Sequence, residues 1–296
     1  MVDYIKIYYQ DKSRFESFVC NPENFEEVDA ILELHSGRIK YPYCTEFSGM
    51  EVRITSKHGY VRNSIHKAYN DYTIGENHNY NDFGYSKICK AIDYISSKLV
   101  DVDRVKLTQL EFGINIETPV SASDIIRQNV LMHKLKGPNH NRLFNGMGEL
   151  KQFDYHNHFI KIYDKAKQYR LNYNLLRFEV KFIKAKEFQK LGIFHLPDLK
   201  NKLLLRKLFL NLMLRFEEMT IIDNYADRDI SPADLNKLCR YNNPNYWEQG
   251  IAHLTPQTKM RHSRDYLRLL QKYDLLKTKV LLQKLLLKKF IYLINN

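Results

Sequence analysis

Tyr163 stands between Lys161 and Lys165 at a spacing of two, so on an extended strand all three side chains leave the same face. A phenol attacks phosphorus only when its developing charge is stabilised, because its free pKa is near ~10. Lysines on either side supply such a positive field. Glu111 and Glu179 are the matching carboxylates, each on the polar side of an otherwise apolar alternation. Leu110, Phe112, Ile114 and Ile116 oppose Gln109, Glu111 and Asn115, while Phe178, Val180 and Phe182 oppose Arg177, Glu179 and Lys181. Hard divalent ions such as Mg²⁺ or Mn²⁺ take oxygen ligands, a few carboxylates plus a substrate phosphate. An ion there would polarise a phosphodiester and stabilise charge on the leaving oxygen. Each glutamate could instead pair with a neighbouring cation such as Arg177 or Lys181, a common cross-strand arrangement. If the segments 108–116, 159–165 and 176–182 share a sheet, a tyrosine, two carboxylates and several cations meet on one surface.

Other candidate motifs are weaker. His156 and His158 share one side of a strand, but their even numbers point them away from Tyr163, and they read as a loop edge. His66 and Lys67 could bind phosphate. No Gly-rich phosphate loop, nucleophile elbow or dinucleotide fingerprint occurs, which argues against ATP-driven work. The four cysteines, Cys20, Cys44, Cys89 and Cys239, are scattered without a CxxC pair, so neither a disulfide framework nor a zinc site is expected.

The elements that must position these residues change character along the chain. Val2–Tyr9, Met50–Thr55 and Tyr60–Tyr69 read as strands and Ser86–Leu99 as a helix with Ile88, Ala91, Ile92, Ile95 and Leu99 on one stripe. The strand at 107–116 follows, then a helix over Ser121–Lys134. A Gly/Asn-rich loop at Lys136–Gly148 could lie over the polar face. Beyond about residue 190 the pattern is helical: Asp198–Met219, a short helix opened by Ser231-Pro232, another opened by Thr255-Pro256, and a last one over Leu275–Ile294. The expected fold is α+β, an antiparallel sheet with helices on one face and the other face open, followed by a helical basic region. The expected domains are 1–190 and 191–296.

Composition supports a folded chain, with 44% hydrophobic residues, 21 Tyr and 16 Phe. The net charge of +12 sits mostly in the second region, where residues 181–296 hold 22 Lys+Arg against 11 Asp+Glu. That asymmetry suggests a polyanion partner. Arg261, Arg264, Arg268 and Lys272 fall on one helical stripe suited to phosphates, and a solvated basic face is the plainer reading. The chain opens on an alternating strand without a signal-peptide pattern, and Val280–Ile294 is broken by Lys284, Lys288 and Lys289. A cytoplasmic protein with no membrane partner is expected.

The order "LTQLEFGINIE", "FIKIYDKAKQY", "LLRFEVKF", with "MVDYIKIYY" and "NSIHKAYN…NHNYNDFGYSKICKAIDYI" before them, resembles the replication initiators of filamentous phages and related plasmids. This gene II/X family is similar to the wider group of rolling-circle Rep proteins. The resemblance covers roughly residues 1–185. The family usually has Asp at the place of Glu111 and Arg at that of Gln109. The resemblance implies a Rep/relaxase-like nicking domain in which Tyr163 forms a covalent 5′-phosphotyrosine link and Lys165 stabilises the phenolate or transition state. Glu111 and Glu179 would hold Mg²⁺ or Mn²⁺. Lys67, Lys161, Arg177, Arg261, Arg264 and Arg268 would contact single-stranded and origin duplex or hairpin DNA, with a host helicase and a second copy as further partners. The alternatives are a transposase or relaxase of the same chemistry, or a catalytically silent DNA-binding regulator.

Overall fold

The alternating segments do assemble into a sheet. The computed structural model describes residues 1–139 and 148–296, so most of the predicted 136–148 loop lies outside the described residues. By their internal contacts these residues form two units: 1–113, 180–210 and 290–296 make one, and 114–179 with 211–289 make the other. The compositional change near 190 follows the last strand of the main sheet and is not a border between these units.

The first unit is built from β1 (Val2–Tyr9), α1 (Lys12–Val19), β2 (Asp29–Glu33), β3 (Arg38–Phe47), β4 (Met50–Ile54), β5 (Gly59–Ser64), α2 (Ile65–Ile74) and α3 (Tyr85–Ser97), with the start of β6 (Lys106–Glu117). Strands β2-β3-β4-β5-β1-β6 lie in that order, antiparallel throughout. The expected strand over Tyr60–Tyr69 stops early. Ser64 accepts a hydrogen bond from the Lys67 amide at 3.1 Å, an N-cap that turns the chain into α2, and Gly75 in the left-handed conformation ends that helix. α3 buries Ile88, Ala91, Ile92 and Ile95, the stripe read from sequence.

The second unit continues β6 into α4 (Ala122–Asp124), β7 (Val130–His133), β8 (Leu150–Asp154), β9 (His158–Asp164), α5 (Lys165–Tyr169) and β10 (Leu175–Phe182). The sheet runs on from β6 through β10 and β9 to β8, and β8 and β9 are antiparallel. The expected helix over Ser121–Lys134 is only one turn plus a π-turn at Ile125–Asn129, because β7 pairs antiparallel with β11 (Met219–Ile221). A long-range strand partner outweighs local helix preference there.

α6 (Lys186–Gln189), α7 (Lys202–Glu217), α8 (Pro232–Tyr241), α9 (Pro256–Lys272) and α10 (Lys277–Asn295) complete the chain. Side chains of Ser231 and Thr255 cap α8 and α9 as expected. Leu238, Tyr241 and Trp247 pack with Tyr266, Leu269, Leu270 and Leu275 in one cluster. No helix among the described residues is long and apolar enough to cross a membrane.

Among the described residues the expected open polar face is only partly present: Lys6 and Tyr8 of β1 and Glu51 and Arg53 of β4 are half-buried, while β6 and β10 are enclosed. Leu110 through Ile116 of β6 are buried on both sides, and so is β10 from Leu175 to Val180. Their alternation therefore separates an apolar interior from a polar one.

Candidate active site

On β9, Ile160 and Ile162 are fully buried, which fixes Lys161 and Tyr163 on the opposite side. Across the antiparallel pair, Gln152 faces Lys161 and Leu150 faces Tyr163. Tyr163 is itself buried, at 6% exposure, so it is not the surface side chain expected of a polar face.

The Tyr163 hydroxyl sits in a chain of polar contacts within the second unit. Lys165 Nζ donates to it at 3.4 Å, and the hydroxyl donates to Glu179 Oε2 at 3.3 Å. Glu179 Oε1 accepts from Lys161 Nζ at 2.7 Å. Its other oxygen also accepts from Arg177 Nε, and Arg177 Nη1 donates to Asn115 Oδ1 at 2.9 Å. Burial disfavours the charged form of Glu179, but the Lys161 ammonium and Arg177 guanidinium outweigh it and hold the carboxyl below the usual carboxylate range. Glu179 is therefore an anion at neutral pH with cations on both oxygens. Of the two roles the sequence allows this residue, metal ligand and ion-pair partner, the ion pairs are present.

Lys165 reaches the phenol by a different route from the one expected. It begins α5 and does not continue the strand. Asp164 is the N-cap, accepting from the Lys167 amide at 2.8 Å, and its second oxygen accepts from the Ser123 amide at 3.1 Å and hydroxyl at 2.6 Å. These contacts set the first turn and so aim the Lys165 ammonium, which lies 5.4 Å from the Tyr163 ring centre and 5.0 Å from that of Tyr169. Gly148, at φ +105°, passes so close that an added Cβ would fall 2.7 Å from Lys167 Cβ and 3.1 Å from Asp164 Cβ.

Tyr155 hydrogen-bonds His133 Nδ1 at 2.5 Å, and burial pushes its phenol up to about 12. His158 starts β9 and stacks on Tyr155 at 5.0 Å, on the side away from Tyr163, and His156 precedes the strand.

In the first unit Glu111 has a partner that sequence reading missed. Asp3 and Glu111, 4% and 7% exposed, have carboxylate oxygens within 4.8 Å of each other. Asp3 also accepts from Asn79 Nδ2 at 2.6 Å and from the Ser64 hydroxyl. The available signal was an acid at an odd position of β1, in line with buried Ile5 and Ile7, beside a register shift between Val2 and Ile5. Two buried like charges this close favour a shared cation or proton, so the pair suits a hard divalent ion. His66 is no surface phosphate ligand: it is 2% exposed, bonds Asn81 Oδ1 at 2.5 Å and stacks on Phe83 at 4.4 Å. Lys67 is in the first turn of α2.

The cations expected to contact DNA divide in two. Arg177, 2% exposed, is an internal brace for Glu179, and Lys161 is mostly covered. Arg261, Arg264 and Arg268 are exposed on α9, whereas Lys272 pairs with Asp234 at 2.7 Å and leaves the stripe.

No family model and no curated protein matches this sequence. Among solved structures, the chain is similar to a rolling circle replication initiator protein from Geobacillus stearothermophilus, with a TM-score of 0.44 and 12% sequence identity over 77% of this chain and 88% of that one.

Proposed function

We propose that this chain nicks and rejoins single-stranded DNA through Tyr163 and initiates rolling-circle replication. One observation carries the reading. The phenol oxygen accepts from Lys165 and donates to Glu179, so a positive field for the phenolate and an acceptor that orients the hydroxyl meet at one atom. In the reaction, the Tyr163 oxygen bonds to phosphorus while the bond from phosphorus to the 3′ oxygen breaks. The proton lost by the phenol passes to solvent, and the 3′ oxygen takes one up, freeing a 3′-OH primer. Lys165 stabilises charge on the phenol and the phosphoryl oxygens. Arg177 and Lys161 keep Glu179 ionised and in place. Rejoining reverses the step and needs no ATP, because the phosphotyrosine bond conserves the phosphodiester's energy.

Asp3 and Glu111 would hold Mg²⁺ or Mn²⁺. The ion would supply Lewis-acid polarisation of the scissile phosphate. The exposed arginines of α9 would hold origin DNA. The burial of Tyr163 and Arg177 favours a second reading, a DNA-binding regulator in which this cluster only holds the sheet.

A denaturing gel separates the two. Wild-type protein with Mg²⁺ or Mn²⁺ and single-stranded origin DNA should yield cleaved DNA covalently attached to protein. Tyr163→Phe should yield none, while binding DNA within a few fold of wild type. Adduct formation by the Phe variant would move the nucleophile elsewhere, and binding without cleavage by the wild type would favour the regulator.

A further inference from the structure

α9 presents two chemically different sides. Tyr266, Leu269 and Leu270 are buried in the cluster shared with α8. The opposite side exposes Gln257, Met260, Arg261, Arg264, Leu267 and Arg268. Met260 and Leu267 are 53% and 49% exposed. The brace between the helices is dense: Lys237 and the Tyr241 hydroxyl hold Asp265 at 3.1 Å and 3.0 Å, and Lys272 and the Tyr273 hydroxyl both reach Asp234 at 2.7 Å. The acids of this helix pair are thereby spent on its flank. Arg261 and Arg268 have no carboxylate partner among the described residues, and Arg264 donates to Met260 Sδ at 3.3 Å.

This composition suits base edges better than bare phosphates. Phosphate tracking needs only positive charge at helical spacing and does not require an amide or apolar side chains between the cations. Here the cations are arginines, whose planar fork pairs bidentately with guanine, and they alternate with a glutamine that suits adenine and with apolar side chains that suit the thymine methyl. From Gln257 to Arg268 the helix rises roughly 16 Å, about the length of five base pairs. We infer that α9 is a sequence-reading helix that enters the major groove of duplex DNA, with α8 as its brace, and that Gln257, Arg261, Arg264 and Arg268 contact bases. The inference deepens the proposed nicking function, since it supplies the address at which the nick is made.

The test uses the full-length protein and a pool of random-sequence duplexes. Selection should converge on a motif of about four to six base pairs containing guanine. Arg264→Lys keeps the charge and removes the fork, so affinity for the selected duplex should fall roughly 10-fold or more, and affinity for a scrambled duplex of the same composition far less. An unenriched pool would overturn the inference. So would an equal loss on both duplexes, which marks phosphate tracking, or capture by phosphatidylglycerol vesicles without any duplex preference, which marks a lipid surface. Nicking by the wild type is scored separately on a single strand. A chain that selects a motif but makes no adduct sinks the nickase reading alone, and one that makes the adduct but selects no motif sinks this inference alone.

Discussion

Replacing Glu179 by glutamine tests the cluster without touching its shape. The Glu179 side chain is 1% exposed and faces Arg177, 3% exposed, and Lys161, 21% exposed. The amide removes the negative charge that faces a buried guanidinium, a change that typically costs about 3–5 kcal/mol. Most of the loss belongs to Arg177, because Lys161 can turn toward water. At roughly 2–4 °C per kcal/mol for domains of 150–250 residues, the melting temperature should fall by about 6–20 °C. Removing the opposing charge as well, in Arg177→Gln/Glu179→Gln, should recover part of it, since two neutral amides leave no buried charge uncompensated. The pH dependence has a definite sign. The folded carboxyl titrates below its unfolded value of about 4.3, so its contribution is present above that pH and is lost as pH falls toward the lower folded value. Calorimetry from pH 7 down to about 3 should therefore show a steeper loss in wild type than in Glu179→Gln. A glutamine variant that melts within about 1 °C of wild type at pH 7 would refute the reasoning, because the ion pairs would then contribute nothing net.

Asp3→Asn and Glu111→Gln should each raise the Mg²⁺ or Mn²⁺ concentration needed for half-maximal cleavage, and isothermal titration should show weaker Mn²⁺ binding; undiminished cleavage in EDTA would remove the metal role. Burial, followed by the charge of Lys134, lowers His133 to about 3, so the neutral ring contributes stability above about 6.5 that is lost as pH falls toward about 3. Chemical denaturation across that window should lose less stability in His133→Gln than in wild type.

Much of this site is legible in the chain. Strict alternation around Tyr163, Glu111 and Glu179 names the strands and the side each residue leaves, since a period of two is a property of extended backbone and needs no partner. The stripe of α3 and the Ser-Pro and Thr-Pro starts of α8 and α9 are equally local, because capping satisfies amides within one turn.

Other features depend on neighbours distant in sequence. Val130–His133 is a strand only because Met219–Ile221 lies beside it. Asp3 is a candidate ligand only because Glu111 lies next to it, across 108 residues of chain. Alternation places Lys165 on the strand, yet it meets Tyr163 from a helix whose first turn depends on Ser123. Polarity told which side of each strand was hydrophilic but not whether water reached it. A lone glutamate or arginine is too costly to bury, and the sequence alone reads it as exposed; paired as Glu179 with Arg177 and Lys161 it can be enclosed, and pairing is decided by which strands lie side by side. The sequence by itself therefore determined which residues could act together. The tertiary structure decided that Tyr163, Lys165 and Glu179 meet in a buried cluster, because only packed neighbours supply the counter-charges that let such groups leave water.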